Sequence, residues 1–182
     1  MSKLQHIALV VDAIKGGGAE RVITGMAGYW SERGVRVSLI TFKEAPYFYP
    51  PGEQVELVPL DIAQKSAHAV EGMLRTRRRV RVLRARLKEL APDVVISFFA
   101  DISSITLMAA RKLAIPVIVS ERNHPRHHVI PWRWKMARQM LYRQADRLVI
   151  QSGEMVPFYQ RLGVKTAVIA NPLREVTTDA SE

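Results

Sequence analysis

The sequence predicts an α/β domain built on a doubly wound, mostly parallel β-sheet. Three observations carry this prediction. Short, continuous aliphatic runs recur along the chain, the pattern of strands buried on both faces. Stretches of helical period separate them. A glycine-rich turn, Gly16-Gly17-Gly18, joins the first run to the first helical stretch.

The first run spans residues 7–11 and stops at Asp12 before Lys15-Gly-Gly-Gly18. Beyond the turn, Val22, Ile23, Met26, Ala27 and Trp30 repeat at three and four residues, one face of a helix. Gly34 stands where such a helix ends in a left-handed residue. A strand over 35–42, a loop rich in Pro and aromatics over 45–52 and a short strand over 55–58 follow, so two strands come in succession. Met73, Val80, Leu83, Leu87 and Leu90 share one face of a long basic helix expected over 67–90, which Pro92 stops before an apolar strand over 94–99. The alternation then continues through helix 103–113, strand 115–119, helix 132–144, strand 148–150, helix 154–162 and strand 167–170. Residues 174–182 are polar and aperiodic, the expected linker or chain end beyond a single domain over 1–173.

A chain of 182 residues can bury about 70% of the surface its unfolded form exposes, enough for one core and too little for a second domain. With no cysteine, disulfides, thiolate metal sites and cysteine nucleophiles are excluded, and a reducing cytoplasm is the expected setting. The apolar run at 7–11 is too short for a signal-peptide core or a membrane span, and no later run is long enough. A formal charge of +10 and a pI near 10.3 imply a polyanionic neighbour.

The glycine turn offers chemistry at the carboxyl end of the first strand. Glycines let backbone approach a ligand without Cβ clashes, and the amides and dipole of the following helix favour an anion. A tight turn with no ligand is the alternative. Valine at Gly17 is expected to obstruct that approach and to resist the positive φ open to glycine. A dinucleotide site needs a third glycine where Arg21 stands and an acidic ribose ligand where the second strand instead ends Thr41-Phe42, which argues against an NAD-dependent oxidoreductase. A phosphate-binding Walker loop needs Gly-Lys followed by Ser or Thr, and that tripeptide is absent.

Gly16-Gly-Gly-Ala-Glu-Arg-Val22 resembles the Gly-Gly-Ala-Glu-Arg signature of the family-4 retaining GT-B glycosyltransferases. The resemblance extends through Pro92-Asp-Val-Val-Ile-Ser97, Val119-Ser-Glu-Arg-Asn123, Tyr142-Arg-Gln-Ala-Asp146-Arg-Leu-Val-Ile-Gln-Ser152 and Val168-Ile-Ala-Asn-Pro172, nearly the whole chain in order. It implies the amino-terminal, acceptor-side Rossmann-like half of a two-domain enzyme. In that family the second half binds the nucleotide sugar through two glutamates. No Glu-x7-Glu occurs here, so the donor half is expected to be missing from this chain. The implied reaction moves a sugar from a nucleotide-diphosphate sugar to a lipid-linked glycan or polysaccharide acceptor, with no cofactor held by this domain.

Carried over from the resemblance, Gly16, Gly17 and Gly18 line the cleft near the donor phosphates and the acceptor. Glu121 stands after the fifth strand, where many relatives place a histidine beside the transferred sugar, and is the catalytic candidate. An ion pair with Arg122 is its structural alternative. Arg122, Asn123 and His124 are substrate-binding candidates in the same segment. His124, His127 and His128 cluster in one loop as metal ligands can, but with no cysteine and few nearby carboxylates no metal site is expected.

Two basic stretches hold more than half of the cations, with eight Lys or Arg between Leu74 and Lys88 and seven from Arg122 to Arg147. In the first, Arg77, Arg78, Arg79 and Arg81 are expected at a membrane surface. In the second, Trp132, Trp134 and Lys135 are, since aromatics among cations suit an anionic lipid interface. Nucleic acid is not the expected partner, because no nucleic-acid module accompanies the charge. A nonenzymatic basic module for anionic membrane or nucleic acid is the alternative function. The expected placement of the protein is peripheral, on the inner face of the cytoplasmic membrane.

Overall fold

The computed structural model describes residues 4–44, 47–62, 69–125 and 128–172. Seven strands, β1 (His6–Val11), β2 (Arg36–Thr41), β3 (Glu56–Pro59), β4 (Val94–Phe98), β5 (Val117–Glu121), β6 (Arg147–Ile150) and β7 (Thr166–Val168), form one sheet in the order β3-β2-β1-β4-β5-β6-β7. Every neighbouring pair is parallel. The helices are α1 (Gly18–Ser31), α2 (Ala69–Leu90), α3 (Ala100–Ala110), α4 (Trp132–Leu141) and α5 (Val156–Gln160).

Alternation along the strands divides the core in two. Ile7, Leu9 and Val11 of β1 face α1 through Val22, Ile23 and Ala27. Ala8 and Val10 face the opposite layer, where Leu83 and Leu87 of α2, Ile105 of α3, Trp134 of α4 and Tyr159 of α5 pack. Helices on both faces make the sheet doubly wound, as expected. Gly34 takes φ +75 and lets the Val35 amide reach back to the Trp30 carbonyl at 3.1 Å, closing α1.

Two aspartates from the motifs fasten strand starts at the amino edge. One Asp93 carboxylate oxygen accepts the amides of Gln5 and His6 at 2.8 Å each, tying β1 to β4, and these bonds hold its pKa below the usual value. Asp146 accepts the Val117 amide at 2.8 Å and does the same for β5.

Several boundaries differ from expectation for local reasons. The third helix begins at Ala100 rather than 103, because it is buried on nearly every side and lacks the polar stripe that marks an edge. It ends at Ala110. Lys112 (φ 76) and Ala114 (φ 53) then reverse the chain tightly, which delays the next strand to Val117–Glu121. Residues 142–144 and 153–155 tighten into 3-10 turns, shortening α4 and α5. The sheet-facing stripe of α2 begins at Val80, and Met73, expected on that stripe, is 61% exposed.

Candidate functional site

Parallel strands all end on one edge of the sheet. The chain leaving β1 crosses toward β2 and the chain leaving β4 toward β5, so the switch point, where such a topology opens a crevice, lies between these two strand ends. Open α/β sheets hold their ligands at such a switch point.

The glycine turn lies there. Gly17 is the N-cap of α1 with φ −89, and none of the three glycines takes a positive φ, which corrects the expectation that the turn uses glycine for its backbone angles. A Cβ on Gly16 would rest in ordinary contact on the Phe48 ring at 3.5 Å, and one on Gly17 would meet the Glu20 carboxylate at 2.3 Å, the end of a flexible side chain that would have to move. A Cβ on Gly18 would meet nothing within 4 Å. The first residue of α1 is therefore open to an incoming group.

On the β2 side, Lys43 pairs with Asp12 at 2.5 Å, and the Phe48 amide donates to the Ile14 carbonyl at 3.3 Å. On the β4 side, Phe99 caps α3 at φ 69 and ψ 149, a region costing a bulky residue about 1–3 kcal/mol. Its amide donates to the Ser120 carbonyl, and its own carbonyl accepts the Ser103 amide at 2.8 Å, which hold the strained peptide in place.

Glu121 is the last residue of β5 rather than the first of the loop, and it is only 4% exposed. The Tyr142 hydroxyl donates to its Oε1. Burial pushes its pKa up to about 7, against the Tyr142 hydrogen bond and the Arg138 charge, with Asp101 adding to the rise. Arg138 is itself buried, its guanidinium 4.9 Å from the Phe158 ring centre. Tyr142 is pushed up strongly, first by burial and then by Glu121.

Arg122 does not pair with Glu121. Its Nη1 donates to Asn171 Oδ1 at 2.7 Å and its guanidinium lies 5.1 Å from the Phe98 ring centre, which brings the ends of β4, β5 and β7 together. Asn123 and His124 are half-buried beside it on the same edge, and the His124 carbonyl accepts the His128 amide at 3.0 Å. His127 lies outside the described residues. Among the described residues no three His, Asp or Glu side chains converge as a metal site.

The residues expected at a membrane divide. Arg77, Arg78 and Arg81 are exposed, as is Lys135. Arg79 instead turns inward, its Nε 3.4 Å from the Ile62 carbonyl and its guanidinium 6.0 Å from the Phe42 ring centre. Trp132 is 76% exposed, whereas Trp134 is 8% exposed and belongs to the core, because two residues carry a side chain to the far side of a helix. Met136 and Met140 follow Trp132 at four-residue steps and are exposed beside it. No helix among the described residues is long and apolar enough to cross a membrane.

Sequence reasoning did not single out Phe48 or Phe99, and it named Tyr142 only as the start of a family motif and an aromatic of the second basic stretch. The aromatic cluster over 45–52 and the doublet Phe98-Phe99 were visible as composition, but nothing in their spacing marks a backbone angle or a long-range contact.

The family described as the glycosyl transferase 4-like domain matches residues 17–172. A relative from Campylobacter jejuni, named GalNAc-α-(1→4)-GalNAc-α-(1→3)-diNAcBac-PP-undecaprenol α-1,4-N-acetyl-D-galactosaminyltransferase, is 27% identical over 98% of this chain and 50% of its own length. A sucrose-phosphate synthase from Thermosynechococcus elongatus superposes with a TM-score of 0.73 at 14% identity, over 91% of this chain and 48% of that one. A lipopolysaccharide outer core galactosyltransferase superposes with a TM-score of 0.71 at 18% identity, over 95% and 47%. The chain spans about half the length of these relatives.

Proposed function

The chain belongs to the glycosyl transferase 4-like domain family, and on that premise we propose that it is the acceptor-side half of a retaining glycosyltransferase. The enzyme would move a sugar from a nucleotide-diphosphate sugar to a lipid-linked or polysaccharide acceptor of the cell surface. One observation carries the reading: a glycine turn at the switch point, where the matched segment begins and where Gly18 leaves the start of α1 open. The lipid-diphosphate acceptor in the name of the Campylobacter relative supports the acceptor class.

In this reading, the open end of α1 receives negative charge of the donor diphosphate or acceptor, and Arg122, Asn123 and His124 line the acceptor side. Glu121 acts as a positioning residue from beneath, holding the 3-10 turn after α4 to β5 through Tyr142. The nucleotide sugar is held mainly by a second half outside this chain. Catalysis then rests on placing the reactants and stabilising the leaving diphosphate rather than on a protein nucleophile.

The same reading sets the acceptor's membrane against α4 and the first half of α2. Both helices pack on α3 and begin at the carboxyl edge of the sheet, beside the crevice. Trp132, Met136 and Met140 form an apolar stripe on α4 with Arg133 and Lys135 exposed on the same helix, and Arg77, Arg78 and Arg81 are exposed on α2, on the other side of α3. Aromatic and Met side chains entering the headgroup layer, with about 1 kcal/mol per nearby cation on an anionic leaflet, would hold the protein peripherally on the inner face of the cytoplasmic membrane.

The experiment is transfer by the whole gene product carrying Gly18→Val. Since a Cβ there meets no protein atom within 4 Å, the fold should survive and transfer should fall at least tenfold. Undiminished transfer would take the turn out of the site.

A further inference from the structure

Phe48 is 68% exposed, yet its position is fixed. Its amide is bonded to the Ile14 carbonyl, and its ring packs edge-on to Tyr49 with centroids 4.9 Å apart. The Tyr49 hydroxyl lies 3.5 Å from the Gly16 carbonyl oxygen, at the outer limit of a hydrogen bond. The face of the ring lies over Gly16, where a methyl group would sit in van der Waals contact with it at 3.5 Å. One side of the ring is thus backed by the glycine turn and the other is open to solvent. A lone exposed aromatic is ordinary, but one held by its own backbone, a neighbouring ring and a glycine is a preformed apolar surface.

Its place in the topology says what would use it. The loop carrying Phe48 follows β2 and the glycine turn follows β1, its neighbour in the sheet. The open start of α1 at Gly18 lies two residues from the glycine that backs the ring. A ligand resting on Phe48 would therefore have an apolar surface below it and backbone amides and carbonyls at its rim. A pyranose ring matches that pairing, with C–H groups on one face and hydroxyls around its edge. A nucleobase would also stack, and its carbonyls would accept from the same amides, so uridine is the control ligand.

We propose that Phe48, backed by Gly16, is a stacking platform for a pyranose ring of the acceptor glycan. This rests on the glycosyltransferase reading above and adds to it the residue that reads the acceptor sugar. An aromatic contact of this kind contributes about 1 kcal/mol, a fivefold to tenfold effect on affinity.

The test needs no turnover. Methyl glycosides of glucose, galactose, N-acetylglucosamine, N-acetylgalactosamine and heptose are titrated into the protein and binding is followed by NMR on the aromatic ring protons. The wild type should bind at least one with shifts at the Phe48 ring. Phe48→Ala should weaken that glycoside fivefold or more with no change in melting temperature, since the ring is mostly in solvent. Phe48→Tyr should bind within twofold of wild type. Equal binding by wild type and Phe48→Ala overturns the platform alone. Binding of none of the five by wild type overturns the platform and the acceptor reading together. Weakened binding of uridine, with glycosides unaffected, assigns the ring to a base and also overturns it.

Discussion

A carboxyl sealed at the end of β5 makes stability depend on pH in a direction opposite to most carboxylates. Glu121 has its folded pKa raised to about 7 from 4.5, so the folded state keeps a proton that the unfolded chain releases. Its contribution is complete below about pH 4.5 and is lost as pH rises through 7. The shift of 7 − 4.5 = 2.5 units corresponds to about 3 kcal/mol. Urea denaturation of wild type and Glu121→Gln should show the variant gaining about that much relative to wild type between pH 4.5 and 8. A difference that does not change with pH would mean Glu121 is not sealed. Asp93 has the reverse sign. Its pKa is lowered by two backbone amides, so its contribution is present above about pH 3.8 and lost below. Asp93→Asn should melt at a lower temperature than wild type at pH 7, with the gap closing under acid. The motif residues were legible in the sequence, but their tasks were not. Nothing local to Asp93 or Glu121 shows that their partners, Gln5 and Tyr142, lie 88 and 21 residues away.

At the scale of elements, α4 separates two tryptophans that composition treats alike. Trp134→Ala empties part of the core and should cost about 3–5 kcal/mol in chemical denaturation. Trp132→Ala should leave stability within about 0.5 kcal/mol and weaken binding to anionic vesicles instead. If both variants destabilise equally, the exposed stripe is part of the core. The same sorting applies on α2: replacing Arg77, Arg78 and Arg81 with Gln should reduce vesicle binding, whereas Arg79→Gln should act on stability through its inward contacts. Helical period was sufficient to find α1, α2 and α4, because each has one wet face. It misplaced the start of α3, whose near-complete burial erases the contrast that period detects.

At the scale of the molecule, strand runs and turn chemistry were enough to predict the doubly wound sheet, and in the order β3-β2-β1-β4-β5-β6-β7 right-handed crossovers running opposite ways from β1 and β4 put helices on both faces. The crevice at the switch point follows from that order. Its walls do not, since Phe48 and Phe99 reach it through loops whose path no periodicity describes. With a net charge of +10, the proposed membrane binding should depend on salt: affinity for anionic vesicles should fall steeply from about 50 to about 500 mM salt as exposed charges are screened. The central claim is that this chain supplies the acceptor side of a two-part transferase. It is tested most directly by assaying sugar transfer to a lipid-diphosphate-linked glycan in anionic vesicles, for residues 1–182 alone and for the whole gene product. Transfer is expected from the whole gene product and none from residues 1–182 alone. Robust transfer by residues 1–182 alone would contradict it.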